Sequence, residues 1–253
     1  MDLTNSVTIV GDEPLCGGSF CDVYIGELKW NSSGAQTTVA MKQIRVFCDC
    51  TDSNRAKGWT WFHREAKIWS KLRHPFILLF FGCARFGEYQ LFLISPWAAR
   101  GNCLDYLDKN SSASRPHIVS QVADALEYLH SGQAPVGYVH GDLKGDNVLI
   151  SDGGDALLCD FGLSHDVFAF GCLVIQIFMG EKPYRSLTEP QVIGAIMTGV
   201  KLGRPMEISV VAARLDDDLW ELVNQCLDHQ AMLRPSMAEV AQRLKKHQLH
   251  PDS

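Results

Sequence analysis

The chain has 253 residues, 46% of them apolar, and a formal net charge of −6. That length and apolar content suit one large domain or two lobes around a cleft. The acidic balance and the lack of a long basic run argue against nucleic acid as a partner, because neutralising phosphates takes clustered Lys and Arg.

The first hundred residues have the character of strands. Val7 to Val10 is β-branched and Asp22 to Leu28 alternates. The turn-rich stretch from Asn31 to Gln36 predicts a hairpin into a strand from Thr37 to Ile44. Apolar residues at helical spacing (Phe62, Ala66, Trp69, Leu72) predict a helix over Trp59–Leu72. Arg73-His74-Pro75 ends it, since the residue before proline is pushed out of the helical region. Two further strands are expected at Phe76–Cys83 and Gln90–Ile94.

After Gly101 the pattern turns helical. Pro116–His130 sets Ile118, Val122, Leu126 and Leu129 on one face. Val148–Ile150 and Ala156–Cys159 flank a turn-rich Ser151–Asp155, a second hairpin. Helices are then expected at Val167–Met179, Glu189–Thr198, Asp217–Asp228 and Ser236–Lys246. The apolar run Val167–Met179 is too short to span a bilayer and predicts a buried helix. Met1-Asp2-Leu3-Thr4 has neither the basic nor the apolar region of a signal peptide. A cytoplasmic or nuclear protein with no membrane partner is the expectation. Nine cysteines are dispersed along the chain, and Cys83, Cys159, Cys172 and Cys226 sit in apolar runs. Buried thiols in a reducing compartment are expected, and Cys48-Asp49-Cys50 lacks the second pair that a zinc site needs.

Four motifs carry chemistry. Leu15-Cys16-Gly17-Gly18-Ser19-Phe20-Cys21-Asp22-Val23 is a glycine-rich hairpin, of the kind that lays backbone N–H groups on phosphates; a plain hairpin is the alternative. Lys42 ends the apolar strand Val39-Ala40-Met41, where a charge needs an anionic partner. His140-Gly141-Asp142-Leu143-Lys144-Gly145-Asp146-Asn147 and Asp160-Phe161-Gly162 complete the set.

In this order the motifs resemble those of eukaryotic protein kinases, and the chain is closest in character to the tyrosine-kinase-like serine/threonine group. The resemblance runs from about Val7 to Leu244. It implies an α+β, bilobal protein-kinase-like fold, with a small β-rich N-lobe (1–95), a hinge (96–101) and a larger helical C-lobe (102–253) in one domain. It also implies ATP and Mg2+ as cofactors and a protein substrate with Ser or Thr hydroxyls. Lys42, paired with Glu65, would hold the α- and β-phosphates. Asp142 would orient the substrate hydroxyl and Lys144 steady the γ-phosphate. Asn147 and Asp160 would bind the metal. Leu15, Gly18, Val23, Ala40, Pro96, Ala98 and Leu149 would line the nucleotide site, with Ser95 guarding its back. Phe161 would pack under the Glu65 helix, and Asp146 would face solvent.

The chain departs from that pattern in three places. Cys16 and Cys21 occupy glycine positions of the loop. Gly141 stands where the family often has the arginine that pairs with an activation-loop phosphate. His165-Asp166-Val167-Phe168-Ala169-Phe170-Gly171 resembles D-x-W-S-x-G but follows Asp160-Phe161-Gly162 almost directly, so the activation segment and A-P-E are expected to be missing near 164–166. Six residue steps reach at most about 20 Å, enough to bridge Asp160 and Asp166. A skipped exon or a wrongly spliced gene accounts for so clean an excision more simply than selection does. Arg234 would lose the glutamate it normally pairs with. The alternative function is a pseudokinase or scaffold that binds nucleotide without transferring phosphate.

Overall fold

The computed structural model describes residues 1–17, 21–30, 34–44, 52–87, 90–131, 140–160, 166–180, 183–198, 200, 202, 204 and 215–249. Two compact units form, Met1–Arg73 with Leu78–Ala99, and His74–Ile77 with Arg100–Ser253.

The first unit is a sheet with one helix. The β-branched run makes β1 (Val7–Val10), and β2 (Cys16–Gly17), β3 (Cys21–Lys29), β4 (Gln36–Ile44), β5 (Gly82–Phe86) and β6 (Gln90–Pro96) follow in chain order. They pair antiparallel in the spatial order β1-β3-β4-β6-β5, with β2 also on β3. The strict alternation of β3 and β4 sorts their side chains. Tyr24, Leu28, Val39 and Met41 face a core that also holds Leu3, Val7, Ala84, Phe92 and Ile94, while Val23, lying opposite Lys42, points to the other face.

The residues before β1 complete this sheet. Leu3 N–H donates to the Cys83 carbonyl and Cys83 N–H to that of Met1, while Lys29 N–H donates to that of Ser6. Residues 1–10 therefore pair with β5 at one edge and with β3 at the other, so both open edges are covered by backbone. Gly82 is required here: a Cβ would lie 2.4 Å from the Met1 carbonyl oxygen.

The helix α1 (Asp52–Trp69) starts earlier than the apolar spacing predicts and closes sooner. Lys71 N–H and Leu72 N–H donate to the Ile68 and Trp69 carbonyls, a tight last turn that ends the helix before Pro75 acts. Phe76–Cys83 does not form the expected strand, because regular pairing begins only at Gly82. The Leu78 carbonyl is taken by the Trp69 indole at 2.6 Å and the Phe76 carbonyl by Leu158 N–H. With its backbone groups satisfied this way, the segment buries Ile77, Leu78 and Phe80 without a ladder.

The second unit holds α2 (Cys103–Lys109), α3 (Arg115–His130), the hairpin β7 (Val148–Ile150) and β8 (Ala156–Leu158), α4 (Asp166–Met179), α5 (Glu189–Met197), α6 (Asp217–Cys226) and α7 (Met237–Leu249). A Ser114 cap and Pro116 in the first turn start α3. Its buried stripe packs on α4 and α7. The helix α4 is buried on nearly every side, as its uninterrupted apolar run predicts. Gly171 lets α6 approach, since a Cβ there would meet Leu227 at 2.9 Å. No helix is long and apolar enough, among the described residues, to cross a membrane. Burial pushes the Cys83 thiol up to about 11 and those of Cys103, Cys172 and Cys226 up to about 12, so all four stay protonated at neutral pH.

Candidate active site

In the first unit, Lys42 Nζ donates to Glu65 Oε1 at 2.9 Å, with the two side chains 16% and 18% exposed. The strand delivers the ammonium and α1 the carboxylate. Each offsets the cost of leaving the other charge largely buried. The register sets Val23 opposite Lys42 and Ala40 opposite Ser95. By alternation these share one face of the sheet. Leu15 N–H donates to the Val23 carbonyl, holding the start of the glycine-rich hairpin on β3, and the Leu15 side chain is exposed. Gly18, at the tip, lies outside the described residues, as do Phe161 and Gly162. Pro96 ends β6 and pairs with Val39; lacking an N–H, it can offer only its carbonyl as a backbone partner. Ala98 follows, half-buried, and Ser95 is buried.

In the second unit the catalytic-loop motif is an irregular stretch followed by one 3-10 turn, Gly145–Asn147. Asn147, 5% exposed, donates from its amide nitrogen to the Asp142 carbonyl at 2.8 Å and to Asp142 Oδ2 at 3.0 Å. Both amide N–H groups are thus spent on Asp142, which fixes the orientation of the remaining amide oxygen. Lys144 Nζ donates to Asp142 Oδ2 at 2.8 Å. Burial would depress the Lys144 pKa, but the Asp142 hydrogen bond and the charges of Asp142, Asp146 and Asp160 outweigh it and hold the ammonium charged. Asp142 and Lys144 are exposed and Asp146 is too, while Leu149 is half-buried on β7.

Asp160 holds φ at +61°, the left-handed region that a non-glycine residue seldom adopts. Strain of this kind persists only where the surroundings impose it. The turn is anchored one residue earlier, where Cys159 N–H donates to the Asn147 carbonyl and the Cys159 carbonyl meets His140 Nε2 at 2.8 Å. Asn147 and Asp160 offer one amide and one carboxylate oxygen donor. A pair of hard donors suits Mg2+, which takes few protein ligands and completes its shell with phosphates and water.

Three supporting residues hold this loop. The buried Asp166 carboxylate accepts from His140 N–H at 2.6 Å and Gly141 N–H at 2.9 Å, and bonds His130 Nε2 at 2.8 Å. Gln176, buried in the middle of α4, accepts from Gly145 N–H at 3.0 Å. The sequence reading passed over Gln176 and His130. A signal for Gln176 was present: an amide inside an apolar run must find a partner. Arg234 was expected to be stranded. Instead its Nε donates to the Asp228 carbonyl at 2.7 Å and its guanidinium lies 5.0 Å from the Phe168 ring centroid.

The sequence pattern of the protein tyrosine and serine/threonine kinase family matches residues 9–167 and 164–244. The two stretches meet at the place where the activation segment is expected to be missing. The chain is similar to salt tolerance receptor-like cytoplasmic kinase 1 of Oryza sativa subsp. japonica, 27% identical over 285 positions that cover 90% of this chain and 74% of the relative. It is also similar to tyrosine-protein kinase Src64B of Drosophila melanogaster, 27% identical over 87% of this chain and 43% of that protein. Serine/threonine-protein kinase CTR1 of Arabidopsis thaliana is 25% identical over 92% of this chain and 31% of that protein. The chain thus spans three quarters of the first relative and under half of the other two. The rice alignment is longer than the chain itself, so that kinase carries residues this chain lacks. The family pattern accounts for nearly the whole chain and for every motif set out above, and this chain therefore belongs to the protein tyrosine and serine/threonine kinase family, with its α+β fold.

Proposed function

We propose that the chain transfers the γ-phosphoryl group of ATP to Ser or Thr hydroxyls of a protein substrate. The observation that carries this reading is the catalytic loop, where Asn147 and Lys144 both converge on the Asp142 carboxylate. Bound Mg2+ would neutralise the charge that builds on the phosphates. The Asn147 amide oxygen and the Asp160 carboxylate would be its protein ligands. Lys42, held by Glu65, positions the α- and β-phosphates, and Lys144 steadies the γ-phosphate. Asp142 orients the attacking hydroxyl and accepts its proton. The protein forms no bond to the phosphoryl group, so its contribution is positioning and electrostatics. Leu15, Gly18, Val23, Ala40, Pro96 and Ala98 in the first unit, and Leu149 in the second, are the residues proposed to contact the nucleotide. Lys144, two residues beyond Asp142, favours Ser and Thr over Tyr, because the Ala-Ala-Arg pattern of tyrosine kinases is absent. We divide the domain as an N-lobe over 1–95, a hinge over 96–101 and a C-lobe over 102–253, with the activation segment deleted near 164–166, and we place the protein in the cytoplasm.

Two measurements test the reading. Mg·ATP is expected to raise the melting temperature, and Lys42→Ala to remove the rise. Label from γ-phosphate is expected to reach Ser and Thr of a generic protein substrate, and Asp142→Asn to stop transfer while keeping the thermal shift. Binding without transfer by the unmodified chain would overturn the enzyme reading in favour of the scaffold, which the missing segment motivates.

A further inference from the structure

Two departures from the glycine pattern, Cys16 and Cys21, have no part in the reaction described above. The register relates them. Cys16 lies opposite Val23 and Gly17 opposite Asp22. Residues two apart on a strand share a face, so Cys21 is on the face of Val23 and is the diagonal neighbour of Cys16 across the hairpin. Val23 lies opposite Lys42, so both thiols occupy the sheet face that carries Lys42. Cys16 is exposed and Cys21 is partly so, whereas Cys103, Cys159 and Cys226 are buried.

We propose that Cys16 and Cys21 form a redox-sensitive dithiol in which a hydroperoxide closes an intramolecular disulfide and thereby weakens Mg·nucleotide binding at the Lys42 face. The effect on binding rests on the kinase reading; formation of the bond does not. The chemistry balances with a hydroperoxide as the oxidant. One thiolate attacks the peroxide oxygen, giving a sulfenic acid and releasing an alcohol or water. The second sulfur then attacks the sulfenic sulfur and expels water. Two S–H bonds are lost and one S–S bond forms. The two sulfurs together give up two electrons, and the O–O bond is reduced.

Diagonal partners on antiparallel strands have Cα atoms about 7–8 Å apart, and a disulfide spans about 4.4–6.8 Å. Closure therefore draws the strands together by roughly 1 Å. The strand β2 can yield, because it is only two residues long, both exposed. The bond would tie β2 to the start of β3 on the face that carries Lys42, so a nucleotide held by Lys42 would meet a displaced and stiffened strand edge.

The test uses the full chain treated with hydrogen peroxide, quenched by alkylation, digested and weighed. The peptide containing Cys16 and Cys21 is expected to appear unalkylated and lighter by two hydrogens, and to revert with a dithiol reductant. In parallel, Mg·ATP affinity from thermal shift is expected to fall about ten-fold or more on oxidation, to recover on reduction, and to ignore peroxide in Cys21→Ser. A peptide alkylated on both cysteines after peroxide, or one carrying only sulfinic acid or an intermolecular bond, overturns the dithiol. A disulfide that leaves the affinity unchanged overturns the gate. Reduced protein that ignores Mg·ATP altogether sinks the kinase reading and the gate together, while the peptide mass still decides the disulfide.

Discussion

Asp166 shows how one buried carboxylate can fix the loop of the candidate site without being part of the proposed chemistry. Its side chain is fully buried, and its oxygens serve the two backbone N–H groups that precede Asp142 and the His130 ring. Asp166→Asn turns one oxygen into a donor and sets N–H against N–H. A loss of about 2–4 kcal/mol is expected, read by urea unfolding, with phosphoryl transfer falling more than nucleotide binding. His140 sets a pH limit. Burial is the largest influence and lowers its pKa, outweighing its bond to the Cys159 carbonyl and the nearby charges of Asp166, Asp160 and Asp142. His74 is lowered by burial as well, against the pull of Asp124 and Glu127. Both rings take up a proton less readily in the fold than in the unfolded chain, where they do so near pH 6.5. Stability from them is full above that value and is lost as pH falls towards the folded pKa. The melting temperature at pH 5.5 should therefore lie below that at pH 7.5, and His74→Phe should lessen the difference. The resemblance of the motifs to those of protein kinases marked Lys42, Glu65, Asp142, Asn147 and Asp160 as candidates. It could not show that Gln176 would meet Gly145, because thirty-one residues separate them and only the folded helix joins them.

At the scale of elements, periodicity located α3 and α4 to within a residue because each has a long apolar pattern, with a Ser114 cap also marking the start of α3. The pattern was silent on α2, which has only seven residues and two buried side chains. Its start is set by Asn102, whose side chain accepts from Leu104 N–H and Asp105 N–H, both at 3.0 Å. Asn102→Ala should cost about 1 kcal/mol, and Asn102→Asp much less, by thermal or urea unfolding. A second consequence concerns packing, since Cys103 is fully buried and meets the Gly145 carbonyl at 3.4 Å. Loosening α2 should therefore reach the catalytic loop and lower kcat. The Phe76–Cys83 strand failed for the opposite reason. Apolar continuity signals burial, but a strand also needs a partner's backbone, and here Trp69 and Leu158 take those groups first. Residues 1–4 escaped as well, because their pairing with Cys83 spans eighty residues and leaves no local trace.

For the molecule as a whole, the sequence runs from Asp160 to Asp166 in six residue steps, which raises the question of how such a kinase domain would be controlled. Control by phosphate needs a cation to receive it at the catalytic loop. The position beside Asp142 holds glycine, with φ at +81°, and its N–H donates to Asp166. The backbone there is fixed by α4 rather than by an ion pair. Arg234, the other cation that the sequence left without a partner, is engaged by Asp228 and Phe168. Activity should therefore be constitutive with respect to phosphorylation. Treatment with a protein phosphatase is expected to leave kcat for a generic Ser/Thr substrate within about two-fold, whereas a kinase switched through a loop phosphate would lose activity by an order of magnitude or more. The proposed deletion near 164–166 should show elsewhere, in a high KM for the protein substrate beside an ordinary KM for ATP, because it would remove residues that seat the peptide while Lys42 and Glu65 remain paired. A large drop in kcat after dephosphorylation would mean that some other cation reads a phosphate, and Gly141 would no longer explain the control.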